Sequence, residues 1–324
     1  MVYRKIIWDI MKLDSIVVYY KSIWYLMKYF NFSTVIRLRI CPLLKTLFRR
    51  GGYTNLSHEA VVLYVRKIIA SVVEEYRTKP NNLDVIKASD NIWVCWWQGK
   101  DDMPPLVSQC YKLLLSKTNG HPLILITKYN YNEFVSLPDF IIDLVNGGKM
   151  SITHLSDILR IALLKTHGGL WLDATYWVTQ PININDLVFY SPKNMISNEA
   201  YISNNRWAVN CLGGAKSNKL FCFVYDAFMC YWKENNALID YFLIDYLFFI
   251  AYENFTDVRE MIDATPYTCP DLISLDLNAV YNPQKLCDIL ERNLFLKLNW
   301  KQIFREYNSL NELTNYGFFM SQKG

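Results

Sequence analysis

Residues 156–175 read SDILRIALLKTHGGLWLDAT, which joins a helical pattern, a glycine pair, an apolar run and an acid. Apolar residues of the first half recur at helical spacing and form one side of the predicted helix: Ile158, Leu159, Ala162 and Leu163. Gly168 and Gly169 are typical of a helix end, and residues 170–173 then form a short strand pattern that ends on Asp173. The sequence therefore predicts a helix, a tight turn and a strand with an acid at its tip.

Strand and helix patterns alternate on both sides of this unit. β-rich runs occupy 91–97, 123–127 and 209–214, and helical runs occupy 104–116 and 218–234. Such alternation is typical of an α/β protein with a mainly parallel central sheet. Open sheets of this class bind ligands beyond the carboxyl ends of their strands. The acid at the end of the central strand is therefore predicted to lie where a ligand binds.

The N-terminal part of the chain has a different pattern. Residues 1–79 carry apolar residues at helical spacing, including a long run at 56–77 that Ser57 is predicted to cap. Lys, Pro and Asn residues at 79–82 mark the change to alternating strands and helices. We therefore expect a helical segment over 1–79 and an α/β domain with a C-terminal helical extension over 80–324.

Composition excludes several classes of protein. A hydrophobic fraction of 52% and an aromatic fraction of 15% are typical of a chain with a large packed core, and they exclude a disordered chain. The eight Cys residues form no CxxC pair and no zinc-like spacing, so we interpret them as reduced thiols, which favours the cytoplasm. We expect neither a signal peptide nor a spanning helix, because the sequence has no signal-peptide pattern and no uncharged apolar run of about eighteen residues.

The net charge of +4 is unevenly distributed along the chain. Residues 1–50 hold ten Lys and Arg against two Asp, so the remainder is net acidic. A basic, aromatic segment fits an anionic partner. Two interpretations stay open: a helical appendage packed on the α/β domain, or peripheral attachment of residues 1–50 to the inner face of the plasma membrane. We do not expect a nucleic-acid partner, because no nucleic-acid-binding module accompanies the basic residues.

Asp157 and Arg160 lie one helical turn apart and therefore share a face of the predicted helix. Spacing alone is equally consistent with an ordinary surface ion pair. Asp173 changes this interpretation, because an acid at the tip of a wholly apolar strand is poorly explained by packing. We therefore treat the three residues as a candidate site.

Further motifs accompany SDILR and GGLWLDAT: IWVCWWQG at 92–99, DYFLIDY at 240–246 and KLNWK at 297–301. SDILR and GGLWLDAT resemble the donor-site signature of glycosyltransferase family 32, which is shared in outline with the large glucosylating toxins. The whole set, over 84–301, more closely resembles the capsular polysaccharide synthesis proteins of that group. The resemblance implies a GT-A fold, which is Rossmann-like and binds nucleotide sugars. It also implies transfer of a sugar from a nucleotide-diphosphate sugar, with UDP as the expected nucleotide, to a glycan acceptor with retention of configuration.

The resemblance implies roles for individual residues. Asp157 and Arg160 correspond to the acid and base of a D-x-x-R motif that contacts the donor's sugar hydroxyls and its ribose or phosphates. Asp173 corresponds to the first acid of a D-x-D motif, which holds the diphosphate through Mn²⁺ or Mg²⁺. Thr175 stands where that motif has its second acid, so Asp245 or another downstream acid is predicted to complete the metal shell.

Residues outside these two motifs receive predicted roles in the same way. Trp96 corresponds to a tryptophan that stacks on uracil, and Gly99 permits close approach of the nucleotide to the backbone. Asn210 corresponds to an asparagine near the transferred sugar. The predicted catalytic residues are thus Asp157, Arg160, Asp173, Asn210 and Asp245. Strand alternation predicts that Trp97 faces away from Trp96.

Other polar residues near the motifs have simpler interpretations. His154 and His167, which flank SDILR and the glycine pair, are interpreted as structural. Asp240 and Asp245 are predicted to lie on one helix over 239–252.

The expected acceptor is a growing surface glycan or its lipid-linked precursor. Because Thr175 leaves the predicted metal shell one carboxylate short, a second function stays open. In this alternative the chain is a catalytically weak sugar-nucleotide-binding partner of a polysaccharide synthesis machine. The spacing of the acids shows no paired-carboxylate arrangement of the kind that glycoside hydrolases use.

Overall fold

The structure is a computed structural model that describes residues 23–24, 26–38, 52–81, 90–267 and 275–322, with the side chains of 52–55 left aside. The predicted helical pattern within 1–22 lies outside the described residues. Of the residues 79–82 that mark the predicted domain boundary, 79–81 are described and Asn82 is not. Of the basic segment 1–50, the described part consists of 23–24 and 26–38, which is mostly helical.

A five-stranded mixed sheet lies at the centre of the molecule. The strands formed by the described residues are β1 (Ile92–Cys95), β2 (Leu123–Ile126), β3 (Gly169–Leu172), β4 (Tyr176–Val178), β5 (Phe189–Tyr190), β6 (Cys211–Gly214) and β7 (Phe295–Lys297). The main sheet has the order β2-β1-β3-β6-β5, with β1 parallel to both of its neighbours and β6 antiparallel to both of its own. β4 and β7 form a separate antiparallel pair. The predicted α/β class with a parallel centre is confirmed, and the β6–β5 edge makes the sheet mixed.

The predicted helical runs at 104–116 and 218–234 are confirmed to within a few residues, and the run at 56–77 is divided into two helices. The helices within 131–146, 256–264, 283–292 and 315–321 had no individual prediction. The helices formed by the described residues from 52 onward are given in chain order. They are α1 (Gly52–Ile68), α2 (Ala70–Arg77), α3 (Pro105–Ser116), α4 (Tyr131–Phe134), α5 (Asp139–Asn146), α6 (Ile152–His167), α7 (Lys219–Glu234), α8 (Leu243–Asn254), α9 (Thr256–Ala264), α10 (Pro283–Arg292) and α11 (Asn315–Ser321). The predicted cap at Ser57 is wrong, because this residue lies within α1 and its hydroxyl donates to the carbonyl oxygen of Arg37 at 2.9 Å. A tertiary contact, which local spacing does not reveal, uses the hydroxyl instead.

The helical N-terminal part packs on the same core as the sheet. α6 lies against α7, and α1 and α2 lie against α7 and α8. Leu26, Phe30 and Val35 are buried in the same cluster as the apolar side of α6. Burial of apolar side chains is the main favourable term in folding, so these N-terminal residues contribute to the stability of the whole.

The turn between α6 and β3 depends on two glycines. Gly168 and Gly169 have φ angles of +73° and +95°, a region that other residues rarely adopt. A Cβ atom at Gly169 would overlap the carbonyl oxygen of Asn91, which precedes β1. The indole Nε1 of Trp93 donates to the carbonyl oxygen of Gly168 at 2.9 Å. These contacts fix where the helix ends and where the strand begins.

The cysteines that the structure describes are free thiols, in agreement with the prediction of reduced residues; they are Cys95, Cys110, Cys211, Cys222, Cys230 and Cys287. Cys41 and Cys269 lie outside the described residues. None of the helices formed by described residues combines the length and the apolar character needed to traverse a bilayer.

Candidate donor site at the end of β3

Asp173 directly follows β3 and accepts three hydrogen bonds from side chains. Its Oδ1 atom accepts from Nη2 of Arg160 and from Nε1 of Trp171, each at 3.0 Å. Its Oδ2 atom accepts from Nζ of Lys297 at 2.6 Å. Both carboxylate oxygens are therefore engaged by cationic or polar donors.

Arg160 bridges the two acids that the sequence singled out. Nη1 donates to Oδ1 of Asp157 at 3.1 Å, while Nη2 reaches Asp173. The guanidinium also lies over the ring of Trp171, 5.0 Å from its centroid. The arginine is buried, so the alternative of an ordinary surface ion pair is wrong. The fork of the guanidinium fixes the two carboxylates relative to each other.

His154 is buried next to Asp157 and is held by Trp232. Its Nε2 atom accepts a hydrogen bond from Nε1 of Trp232 at 2.9 Å. Because an indole N–H can only donate, a neutral His154 carries its proton on Nδ1, which lies 3.6 Å from Oδ2 of Asp157. His167 instead contacts the carbonyl oxygen of Phe134 through Nε2 at 2.8 Å. Both histidines are buried or half-buried and hydrogen-bonded, which agrees with their structural interpretation.

Lys297 is the residue of this site to which the sequence assigned no role. It ends β7, and the pairing of β7 with β4 sets it opposite Tyr176, three residues after Asp173. Its ammonium also lies 5.1 Å from the centroid of the Tyr176 ring. The KLNWK motif contained this lysine, but local pattern cannot show that it contacts an acid 124 positions earlier.

The charges around Asp173 determine its ionisation. Burial by itself raises the pKa of this carboxyl, but the positive charges of Lys297 and Arg160 oppose it. Hydrogen bonds from Lys297 and Trp171 act in the same direction, and together they hold the pKa of Asp173 below its ordinary value. Asp173 is therefore a carboxylate at neutral pH.

Asn210 and Thr175 lie close to the same strand end. The carbonyl oxygen of Asn210 accepts from the backbone N–H of Asp173 at 2.9 Å, and its Oδ1 accepts from the hydroxyl of Tyr176 at 2.6 Å. Thr175 is buried, and its carbonyl oxygen accepts from the N–H of Leu298 at 3.0 Å. The structure thus brings Asn210 next to Asp173, and it ties the backbone at 175 to the strand that carries Lys297.

Asp245 lies within the first turn of α8 and is buried. Its Oδ1 accepts from Nε1 of Trp207 at 2.9 Å. Burial raises its pKa to about 7, and the charge of Asp157 adds to this effect, whereas Trp207 and Arg160 oppose it. The prediction that Asp240 shares its helix is wrong, because α8 begins at Leu243 and Asp240 precedes it, accepting at Oδ1 from the N–H of Phe242. That contact satisfies the backbone locally and lets the helix begin later.

Trp96 and Gly99 follow β1, which is the parallel neighbour of β3. The carboxyl ends of parallel neighbours lie at the same edge of a sheet, so both residues share the edge of Asp173. Nε1 of Trp96 donates to the carbonyl oxygen of Asp102 at 3.2 Å, and its ring meets that of Trp300 edge to face at 5.4 Å.

Gly99 adopts a φ of +111° and donates through its N–H to the carbonyl oxygen of Trp96 at 3.0 Å. Trp96 and Trp97 follow β1 and pack on different clusters: Trp97 lies against the cluster that contains Trp93, and Trp96 against the cluster that contains Val94. The prediction that Trp97 faces away from Trp96 is therefore confirmed. The ring of Trp97 packs against Tyr131, with 5.3 Å between centroids.

The residues predicted to hold a metal are Asp173, Thr175 and Asp245. Among the described residues, no group of three or more His, Cys, Asp or Glu side chains is arranged to hold a metal ion. Lys297 occupies one oxygen of Asp173, and Trp207 one oxygen of Asp245. This donor set offers a hard divalent cation few open oxygens.

Replacing Asp245 by Asn is expected to weaken the pH dependence of stability. Because the pKa of Asp245 is raised to about 7, the folded protein keeps a proton that the unfolded chain has already lost above the ordinary pKa of 3.8. Stability therefore falls as pH rises through this window. Between about pH 5 and pH 8, the variant should gain roughly 2–3 kcal/mol relative to the wild type. Urea unfolding at both pH values measures this.

The control for that experiment is Asp143→Asn, which replaces an exposed acid. In Asp245→Asn the new side chain would keep an oxygen that accepts from Trp207, so packing should be preserved. Equal pH dependence in the wild type and in Asp245→Asn would contradict the assignment of a buried proton to this residue.

Comparison with known proteins identifies the family of the chain. The family model described as capsular polysaccharide synthesis protein matches residues 47–316, which include α1, α2 and every residue of the site. No curated protein and no solved structure matches the chain. The order of motifs in the sequence, the joined acids of α6 and β3 and this match agree, and the chain belongs to the capsular polysaccharide synthesis protein family.

Proposed function

We propose that this protein is a glycosyltransferase with a GT-A fold that acts in capsular or surface polysaccharide synthesis. It transfers a sugar from a nucleotide-diphosphate sugar, with UDP as the favoured nucleotide, to a glycan or lipid-linked glycan acceptor. One observation carries the proposal: an ionised Asp173 is fixed at the carboxyl end of β3 and joined by Arg160 to Asp157. The parallel strands β1 and β3 end at this edge, where α/β proteins bind nucleotides.

The proposed roles follow the geometry. Asp157 and Arg160 orient the donor through its sugar and ribose hydroxyls, and Asn210 lies beside the transferred sugar. Trp96 supplies an aromatic surface for the base at the end of β1. Asp173 organises the cations that face the diphosphate. Retention of configuration rests on the resemblance to family 32 alone.

Sugar transfer requires positive charge beside the departing diphosphate. The bond between the anomeric carbon and the diphosphate oxygen breaks, and its electron pair stays on that oxygen. The acceptor hydroxyl oxygen forms the new bond and releases its proton. Because negative charge builds up on the departing diphosphate, preorganised cations beside it lower the barrier. The resemblance to family 32 implies Mn²⁺ or Mg²⁺ for this task.

The test is to incubate the full chain with UDP-sugars and other nucleotide sugars, with and without Mn²⁺, while nucleotide release is followed. We expect release from at least one donor and faster release with a matched acceptor. The alternative of a weak sugar-nucleotide-binding partner predicts binding without release. If no donor is bound and no nucleotide is released from any donor, the proposed function is overturned.

We further propose that the protein works at the cytoplasmic face of the plasma membrane through its N-terminal segment. Trp24 and Phe32 are 74% and 65% exposed, whereas Leu26 and Phe30 between them are buried. Exposed aromatic residues beside basic ones suit a membrane interface. The segment thus has one side in the core and one side free to enter a lipid surface.

Replacing Trp24 and Phe32 together by Ser is expected to weaken pelleting with anionic vesicles at least about tenfold, since each aromatic loses a large apolar area for burial. Substitution is preferable to deletion of residues 1–50, because deletion would also remove buried core residues such as Phe30. Ile303→Ser, at an 87% exposed position elsewhere, serves as the control. Unchanged pelleting of the double variant would refute attachment through this segment.

A further inference from the structure

The site contains a row of four alternating charges: Asp157, Arg160, Asp173 and Lys297, hereafter the charge row. Successive members are joined at 3.1, 3.0 and 2.6 Å. Their side chains are 13%, 4%, 28% and 31% exposed, so the row leads from the interior to the surface. Its accessible end is a cation, and that cation is the lysine.

We propose that Lys297 binds the donor's diphosphate directly, in the place where the D-x-D resemblance predicts a divalent cation, and that the site binds nucleotide without such a cation. This inference rests on the proposed function, because it concerns how the nucleotide-diphosphate donor is held. It assigns Asp173 a different task. The carboxylate positions Lys297 and Arg160 and does not act as a metal ligand.

The first support is the state of the Asp173 oxygens. Oδ1 accepts from Arg160 and Trp171, and Oδ2 accepts from Lys297. A divalent cation on Oδ2 would lie beside the ammonium of Lys297, which repels it, and would need several further oxygen ligands. Thr175 offers only a neutral hydroxyl and is buried. The Oδ1 atom of Asp245 already accepts a hydrogen bond from Nε1 of Trp207.

The second support is the donor capacity of Lys297. A lysine ammonium has three N–H donors and no acceptor. Asp173 takes one of them, and the hydrogen bonds among the described residues leave the other two for a ligand. Phosphate oxygens are strong acceptors for such a group, since both partners are charged. When the sugar–oxygen bond breaks, the same ammonium stabilises the electron pair left on the diphosphate.

The third support is that backbone hydrogen bonds fix the position of the strand that carries Lys297. β7 pairs with β4 along three residues, and β4 follows Asp173 after a turn. The N–H of Tyr176 donates to the carbonyl oxygen of Asp173, and the N–H of Leu298 donates to that of Thr175, both at 3.0 Å. The change from an acid to Thr at 175 fits this arrangement, because the buried residue helps to hold β7 and is not available to a metal.

The experiment measures binding of UDP to the full chain by calorimetry, in EDTA and in Mn²⁺, with GDP and CDP alongside. We expect the affinity in EDTA to be within about twofold of that in Mn²⁺. Lys297→Met should weaken UDP binding by about tenfold to a hundredfold, the effect of one charge-assisted hydrogen bond. Lys297→Arg should restore most of the affinity. The affinity for UMP, which lacks the second phosphate, should fall much less in Lys297→Met than the affinity for UDP.

Lys301→Met, at an exposed lysine four residues later, controls for loss of general positive charge. Binding that needs Mn²⁺, or wild-type UDP affinity in Lys297→Met, would overturn this inference and leave the proposed function in place. Failure of every nucleotide to bind under both conditions would overturn the two together.

Discussion

Replacing Asp173 by Asn is expected to reduce sugar transfer about a thousandfold, which is the scale for loss of a preorganised electrostatic group. The substitution keeps the shape of the side chain and an oxygen that can accept from Trp171 and Arg160. It removes the negative charge that holds Lys297, and it sets an amide N–H₂ or a neutral oxygen against the ammonium. The charge row therefore loses the residue that joins its buried half to its open half.

The measurement is turnover of the best donor found in the nucleotide-sugar panel, together with a thermal unfolding curve. Asp173→Asn should still unfold cooperatively, because the core clusters around β3 consist of apolar residues that the change does not touch. Asp102→Asn, at an exposed acid near the same edge of the sheet, is the matched control and should keep its activity. Near-native turnover of the Asp173 variant would mean that the site lies elsewhere.

The second large effect concerns stability. Gly169→Ala is expected to lower the free energy of unfolding by about 4 kcal/mol, the sum of backbone strain and forced displacement of packed atoms. The residue has a φ of +95°, and an added Cβ would overlap the carbonyl oxygen of Asn91. To avoid this overlap, β3 would have to move away from β1, and this movement would break the pairing that aligns the ends of the two strands.

Gly120→Ala separates the two causes, because Gly120 has a similar φ of +86° and no atom within 4 Å of an added Cβ. It should lose only about 1 kcal/mol, the cost of the unusual backbone conformation. Urea unfolding of both variants gives the comparison. If the two variants lose equal stability, steric exclusion at Asn91 does not set the position of the turn.

The sequence predicts the central helix, turn and strand well because each leaves a local signal. α6 shows its apolar spacing, the glycines mark its end, and Asp173 stands out after an apolar strand. β5 spans two residues and β4 and β7 span three each, which is too short for a pattern to identify. These short strands were therefore not predicted.

The site was predictable in part for the same reason. Asp157, Arg160 and Asp173 lie within one unit of helix and strand, and the structure joins them as the motif suggested. Lys297 meets Asp173 across two distant elements, and Trp232 of α7 likewise holds His154 of α6, so only tertiary structure shows these contacts. The wrong assignments at Ser57 and Asp240 have the same origin, since hydrogen bonds outside the helical pattern determine where those residues lie.

The pairing of β4 with β7 also sets an order of events during synthesis. The first three members of the charge row leave the ribosome when little more than half of the chain has been made, and they can meet as soon as α6 and β3 form. Their fourth member follows Asp173 by 124 residues, so a nascent or truncated chain that stops before β7 holds Asp173 with a single cationic partner. Such a fragment has the frame of the donor site but lacks its open charge, and we expect nucleotide binding to begin only when nearly the whole chain has been made.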